Sequence, residues 1–340
     1  MTDLDADVLV IGAGVIGLTT AICLAEAGLK VTVAAAEPPE RTTSVAAGAI
    51  WGPHLVGLDD RVERWANVTQ DRLTALSHPD LGPAEVDTAE LGGIVHTASG
   101  ITATRNGPGT HGEAPGFAAP AGDLTQCPAD QVPAGYAAAW RLTALIVAMP
   151  GYLQYLARRL GRAGGTSTFG VKIGRLSEAS TLAPAARVIV NCTGCGARDL
   201  VPDPSVTPVR GQVVVAVNPG ITEFLVGTGS DPGDLTYLIP HGDVIVLGGT
   251  EQPGNWSREP DPDTAAHILA ACTAVEPALR DARVLDHRVG LRPARPRVRL
   301  EAETYGSRTV VHNYGHGGAG VTLSWGCAED ATDLALAVLA

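Results

Sequence analysis

Asp7-Val-Leu-Val-Ile11, then Gly12-Ala-Gly14-Val-Ile-Gly17, then Leu18 to Ala27 and Lys30 to Ala35: this opening stretch decides the fold. An apolar run enters a glycine-rich turn, the turn opens a helix, Gly28 stops it, and a second strand follows. That is the first βαβ unit of a doubly wound α/β fold. Glycines at 12, 14 and 17 allow a tight turn, let backbone amides approach a pyrophosphate, and let the helix lie close to the sheet; the helix N-terminus supplies the anion site. Gly12, Ala13, Gly14, Val15, Ile16 and Gly17 are therefore expected at a dinucleotide, with Glu37, just past the second strand, placed to hold its ribose hydroxyls. The fingerprint does not separate FAD from NAD.

Composition narrows the function class. The 340 residues are 45% hydrophobic, ample for a large core, and 36 acidic against 24 basic residues leave a formal charge of −12. Such a surface repels phosphate backbones and anionic lipid, so neither nucleic acid nor a membrane is an expected partner. No apolar run approaches a membrane span and no charged leader precedes the first strand, so a cytoplasmic protein is expected. The six cysteines, Cys23, Cys127, Cys192, Cys195, Cys272 and Cys327, are scattered and expected to be reduced. Cys192-Thr-Gly-Cys195 matches a C-x-x-C pair in form, but it follows the apolar strand Arg187 to Asn191 and has no second pair, so no metal site is expected.

Further along, Leu81 to Pro133 is rich in Gly, Pro, Ala and Thr and suggests loops with short antiparallel strands. Pro150 to Gly161 has the pattern of an amphipathic helix, and Val188 to Asn191 of a buried strand. Val209 to Val217, Tyr237 to Pro240 and Val244 to Gly249 suggest a second, mixed sheet. Helices are expected at Asp261 to Ala274, with Asp263 or Thr264 near its N-cap, and at Ala319 to Ala340. The chain enters the nucleotide domain, leaves it and returns.

Seven motifs carry a resemblance to the D-amino acid oxidase family, in that family's order: Val15-Ile-Gly-Leu18, Thr42-Thr-Ser-Val-Ala-Ala-Gly48, Asn191-Cys-Thr-Gly194, Val209-Arg-Gly-Gln212, Gly248-Gly-Thr250, Gly290-Leu-Arg-Pro293 and His312-Asn-Tyr-Gly-His-Gly-Gly318. Together they span nearly the whole chain. The resemblance implies a GR2-type flavoprotein fold, in which a Rossmann-like FAD-binding domain (1–50, 141–200 and 290–340) is interleaved with a mixed-sheet substrate domain (51–140 and 201–289). It implies non-covalent FAD, with Thr42, Thr43, Ala47 and Gly48 along the pyrophosphate and flavin loop. Ile173 and Thr193 are expected near the adenosine, and Gly317, Gly318, Gly320, Val321 and Thr322 near the isoalloxazine. The start of the last helix, Gly320-Val-Thr322, offers a positive dipole end where negative charge develops on reduction.

The same resemblance assigns Arg292 to the substrate α-carboxylate as a two-pronged fork, Tyr237 to a phenol hydrogen bond with it, and the Gly318 carbonyl to the amino group. The Cα hydrogen then passes to flavin N5 as hydride with no side-chain base, so His312 and His316 are expected to be structural. The implied reaction takes a D-amino acid, O2 and water to a 2-oxo acid, ammonia and H2O2, in a homodimer. Some relatives place a second tyrosine on a mobile lid where this chain has Gly233. At the substrate side chain two residues point in opposite directions: His54 is seen in aspartate-specific relatives, whereas Glu251 stands where they carry an arginine. A bare carboxylate at 251 predicts preference for neutral D-amino acids, acceptance of basic ones and poor use of D-Asp and D-Glu. D-aspartate oxidase, a glycine or sarcosine oxidase-like enzyme, a non-catalytic flavin protein and an NAD-dependent dehydrogenase are the alternatives.

Overall fold

The computed structural model describes residues 4–52, 54–57, 59–77, 93–105, 123–229 and 235–340. Along the chain, β1 (Val8–Ile11), α1 (Val15–Glu26) and β2 (Val31–Ala35) form the opening unit, followed by α2 (Asp60–Ser77), β3 (Val95–Thr104), β4 (Thr125–Gln126) and β5 (Ala138–Val147). Then come α3 (Met149–Arg162), β6 (Thr166–Phe169), α4 (Leu176–Leu182), β7 (Val188–Asn191) and α5 (Ala197–Leu200). β8 (Thr207–Val217), β9 (Phe224–Thr228), β10 (Leu235–His241), β11 (Val244–Gly248) and β12 (Gln252–Pro253) lead to α6 (Pro262–Val275). β13 (Val284–Ala294), β14 (Arg299–Tyr305), β15 (Arg308–Tyr314) and α7 (Gly320–Leu339) close the described chain.

Among the described residues these strands form two sheets. The first runs β14-β15-β7-β1-β2-β6, parallel except for the antiparallel edge strand β14. Its central strands are buried along their whole length, as strands covered on both faces must be. One face packs against α1, α2, α3 and α7, the other against α4 and Leu200. α1 is apolar nearly all round because it lies between the sheet, α3 and α7. Thr19 donates to the Ser324 carbonyl at 3.2 Å, tying α1 to α7.

The second sheet runs β12-β8-β11-β10-β9-β3-β5-β4, with β13 paired to the other side of β8. Alternation along its strands separates two faces. Val214, Ala216, Leu238, Ile245 and Leu247 pack against Ala265, Ile268 and Cys272 of α6. Val213, Val215, Tyr237, Ile239 and Val246 point the other way and share a cluster with Ile50. Tyr237 is therefore on the face that looks toward the first sheet, while its neighbour Leu238 is held by α6.

Several sequence expectations need adjustment. β5 and β13 belong to the second sheet, so residues 141–147 and 290–294 pair there and not with the nucleotide-binding strands. α2, which carries no strong sequence motif, packs on α7 beside the first sheet and not with the substrate domain to which residues 51–140 were expected to belong. β3 is a ten-residue strand where short ones were expected. The N-cap of α6 is Asp261, whose carboxylate accepts from Thr264 N at 2.7 Å, and not Asp263 or Thr264. No helix of the described residues is long and apolar enough to cross a membrane.

The α2–α7 contact depends on Gly326, where a Cβ would stand 2.3 Å from Trp65 Cα and 2.5 Å from its carbonyl oxygen. Backbone, unlike a flexible side chain, cannot step aside. Gly326→Ala is expected to destabilise the fold by about 1–3 kcal/mol, read as a lower urea midpoint at unchanged slope. An unchanged midpoint shows that the helices do not approach this closely.

Candidate active site

A cavity of about 560 Å³ lies between the two sheets. It opens at the carboxyl ends of β1, β2, β7 and β15, where parallel sheets bind nucleotides. Gly12, Ala13, Gly14, Val15 and Ile16 line it, together with Glu37, Thr42, Thr43, Ala47, Gly48, Ile173 and Thr193. Gly12 has φ +112°, and a Cβ there would meet the Cys192 carbonyl oxygen at 2.5 Å. Gly17 is a correction to the expected cofactor contacts: it is not on the wall, and its missing Cβ instead leaves room for the Gly12 carbonyl oxygen, which a side chain would meet at 1.9 Å. The glycine packs the turn against the helix and does not itself face the ligand.

Two helices present N-termini here. The N-cap residues are Gly14 for α1 and Ala319 for α7, and neither bonds back to its helix through its own side chain. Gly317, Gly318, Gly320, Val321 and Thr322 line the cavity beside the second of these. Thr322 Oγ1 donates to the Gly52 carbonyl at 2.9 Å and accepts from Gly52 N at 3.2 Å, fixing α7 to the segment that leads to His54. At α1 the Val15 amide donates to Ser44 Oγ at 3.0 Å. Ser44 was not among the residues singled out in Thr42-to-Gly48. Neither was Arg258, whose Nη2 donates to the Arg41 carbonyl at 2.7 Å and whose Nη1 lies 3.7 Å from Glu37. Only the tertiary fold brings Arg258 to Glu37.

At the opposite end of the cavity stand Tyr237, Arg292, Gly318 and His54. Arg292 Nη1 donates to the Thr250 carbonyl at 2.9 Å. Its guanidinium lies over Gly211, whose Cβ would be 2.6 Å from Nη1. Arg295 and Arg299 of the same basic run are committed to Asp203 and to Glu301 and Glu303, while Arg292 has no carboxylate partner among the described residues. Burial raises the Tyr237 phenol above its ordinary pKa, and the Arg292 charge pulls the other way.

Glu251 is a second correction. It is not on the cavity wall; its Oε1 lies 2.8 Å from His54 Nε2, and the side chain is 17% exposed. At that distance the two form an ion pair whenever the imidazole is protonated. His54 holds the Glu251 carboxyl below its usual range against the opposing effect of burial, with Arg292 adding to the lowering. The two positions that pointed in opposite directions in sequence are one pair in space. Gly233 lies outside the described residues.

His312 is off the cavity wall, with Nε2 3.1 Å from Glu303 and its pKa lowered by burial. His316 is on the wall and buried, which pushes its pKa down to about 3. Burial pushes the Cys192 and Cys195 thiols up to about 12, so both are neutral near pH 7.

The wall suits a flavin dinucleotide. The positive ends of two helices on one wall suit one ligand with two electron-rich regions. Gly48 lets its segment pack directly on the second sheet, since a Cβ there would stand 2.7 Å from Ile239 and 3.2 Å from the Tyr237 ring. Asn313 Oδ1 and His316 Nε2, buried polar atoms on wall residues, have no hydrogen-bond partner among the described residues.

Comparison with known proteins agrees with this geometry. The family model DAO, FAD dependent oxidoreductase, matches residues 7–334. A D-amino-acid oxidase of Rubrobacter xylanophilus is 44% identical over 336 residues, covering 98% of this chain and 97% of that protein. A human D-aspartate oxidase is 34% identical over 345 residues, covering 97% and 94%. Among solved structures, glycine oxidase from Geobacillus kaustophilus superposes with a TM-score of 0.79 at 18% identity over 98% of this chain and 95% of that one.

His316 yields a stability test. Its folded pKa is about 3, against roughly 6.5 for an unfolded histidine. Between those values the unfolded state binds a proton that the folded state refuses. Wild type should therefore lose stability relative to His316→Gln as pH falls from about 6.5 toward 3, by up to ~1.4 kcal/mol per pH unit. Paired denaturant titrations at pH 7 and pH 4.5 measure it. A constant difference shows that His316 protonates freely where it stands.

Proposed function

The chain belongs to the FAD dependent oxidoreductase family, and from that premise we propose that it oxidises D-amino acids to 2-oxo acids, with release of ammonia and H2O2. The observation that carries the substrate assignment is Arg292, half-buried in the cavity wall and bonded to a carbonyl, with no carboxylate partner among the described residues. A guanidinium so placed has N–H donors left over, and an α-carboxylate is the group whose two oxygens match its fork. Tyr237 adds a neutral phenol donor, and the Gly318 carbonyl is the expected acceptor for the substrate amine.

FAD, when bound, supplies a two-electron acceptor for the Cα hydrogen and passes those electrons to O2. Gly12 to Ile16, Thr42, Thr43 and the α1 N-terminus are the proposed holders of its pyrophosphate, with Glu37 at the ribose and Ile173 and Thr193 at the adenosine. Gly317, Gly318, Gly320, Val321 and Thr322 are the proposed neighbours of its ring system, where α7 contributes positive potential. The protein binds and orients the amino acid at the other end of the cavity and keeps the amine close to a carbonyl acceptor. His316, with a pKa near 3, carries no proton to give at neutral pH. Positioning supplies most of the rate.

Charge around the substrate side chain favours neutral amino acids. The His54–Glu251 pair has net charge zero or −1, according to whether the imidazole is protonated, and so offers a side-chain carboxylate no surplus cation. Pairing also weakens the repulsion: an unpaired like charge ~6 Å away costs roughly 3 kcal/mol at an effective dielectric of about 20, and a neighbouring imidazolium removes much of that. Basic side chains are accepted on the same grounds. A homodimer is part of this reading and rests on the family resemblance, and a cytoplasmic location is proposed with it.

Purified protein should be yellow, bleach anaerobically with D-alanine and recover in air; a colourless protein that needs NAD defeats the reading. Arg292→Ala should keep its flavin and raise KM for D-alanine by at least ~100-fold, the counterpart of about 3 kcal/mol of lost charge-assisted bonding. A KM within threefold of wild type overturns the assignment of that arginine.

For selectivity, kcat/KM for D-Asp should fall about tenfold or more below that for D-Ala, and Glu251→Gln should narrow the gap. D-Asp as the best wild-type substrate would put D-aspartate oxidase first.

A further inference from the structure

The motif Val209-Arg-Gly-Gln212 in β8 has no task in the reaction described so far. Arg210 is 2% exposed and makes no ion pair among the described residues. Its guanidinium donates to the Ser257 carbonyl at 3.1 Å, Gln252 Oε1 at 3.0 Å, Gln212 Oε1 at 2.7 Å and the Glu259 carbonyl at 2.7 Å. Gln212 completes the set: its Nε2 donates to the Asp261 carbonyl at 2.8 Å, its Oε1 accepts from Asp261 N at 2.8 Å, and its backbone amide donates to Thr250 Oγ1 at 3.0 Å.

Apart from the bond between the two side chains themselves, every one of these partners lies on a single segment, Thr250 to Asp261, that straps across the end of β8. Both ends of the cavity touch this strap. The Thr250 carbonyl holds Arg292 Nη1 at 2.9 Å, and Arg258, between two carbonyls bonded to Arg210, donates to the Arg41 carbonyl at 2.7 Å and faces Glu37. The four bonds use four of the five N–H donors of a buried arginine that has no ion-pair partner among the described residues, which makes the strap's path specific. An ammonium on a flexible stem cannot reach acceptors on several sides at once.

We propose that Arg210 and Gln212 are positioning residues, a buried polar hub that sets the Arg292 guanidinium for the substrate carboxylate through Thr250 and, through the same strap, holds Arg258 at the ribose end of the cofactor site. The proposal rests on the amino-acid-oxidase reading for its first arm; the second is a statement about cofactor affinity and needs no turnover.

The test uses holoenzyme for KM and kcat with D-alanine, and apoprotein titrated with FAD by fluorescence for its Kd. Arg210→Lys should raise KM about tenfold with kcat within about threefold, and weaken FAD about fivefold. In an Arg292→Met background the same substitution should change KM by less than about twofold while the FAD effect persists, because coupled residues are not additive. Equal losses of substrate affinity in both backgrounds identify a general structural defect and overturn the hub, as does an Arg210→Lys enzyme with both constants within twofold of wild type. If Arg210→Lys does not fold, Thr250→Val decides: it removes only the hydroxyl that accepts from Gln212, and a KM rise of about three- to fivefold with FAD affinity intact supports the link, while an unchanged KM breaks it. Wild type inert toward D-alanine fails the function itself; active wild type with additive variants fails only the hub.

Discussion

Everything at this site depends on how closely α1 can approach the ends of β1 and β7. A Cβ at Gly12 would meet the Cys192 carbonyl, and one at Gly17 would meet the carbonyl of Gly12, so two missing side chains let the turn fold against both strands. With the turn tight, the α1 N-terminus faces the cavity. Thr19 of α1 then bonds the backbone of α7, and Asn313 Nδ2 reaches Thr20 at 3.1 Å, so the C-terminal helix is set from the same point. A nucleotide-binding turn at residue 12 and a glycine loop at residue 317 become two ends of one site.

The cavity also shows how an acidic chain serves an anionic substrate. The overall charge is −12, yet the cations that matter are placed one at a time and held by carbonyls or by paired carboxylates. Arg295 binds Asp203, which also accepts from Ser205 and Tyr314 and is held down to about 2. These contacts brace the strand ends and leave Arg292 as the arginine of that run turned to the cavity. A formal charge summed over the surface says little about such a pocket, because burial and the nearest partner set the local potential.

The His54–Glu251 contact makes the same point for selectivity. Each residue alone suggests a different substrate class. Once they are 2.8 Å apart, the relevant quantity is the charge of the pair, which has no positive surplus in either protonation state of the imidazole. The strap that carries Glu251 is in turn bonded to Arg210 from within the sheet, so Glu251, the carbonyl that holds Arg292, and Arg258 share one support.

The first βαβ unit, the second sheet and the last helix are legible in the sequence because strands and glycine turns are local: apolar runs bounded by Gly and Pro read directly as β1, β2, β7, β8, β10 and β11. Many residues of the ordered motifs also line the cavity, though Gly17 and His312 do not. What the sequence by itself could not determine is who stands beside whom. α2 carries no motif, and its place against α7 rests on a backbone contact at Gly326. Whether Glu251 is bare or paired, and what Arg210 and Arg258 do, are decided by residues tens to hundreds of positions away. Local chemistry sets an element's type, but a side chain's charge and reach take their meaning from neighbours that only the tertiary structure supplies.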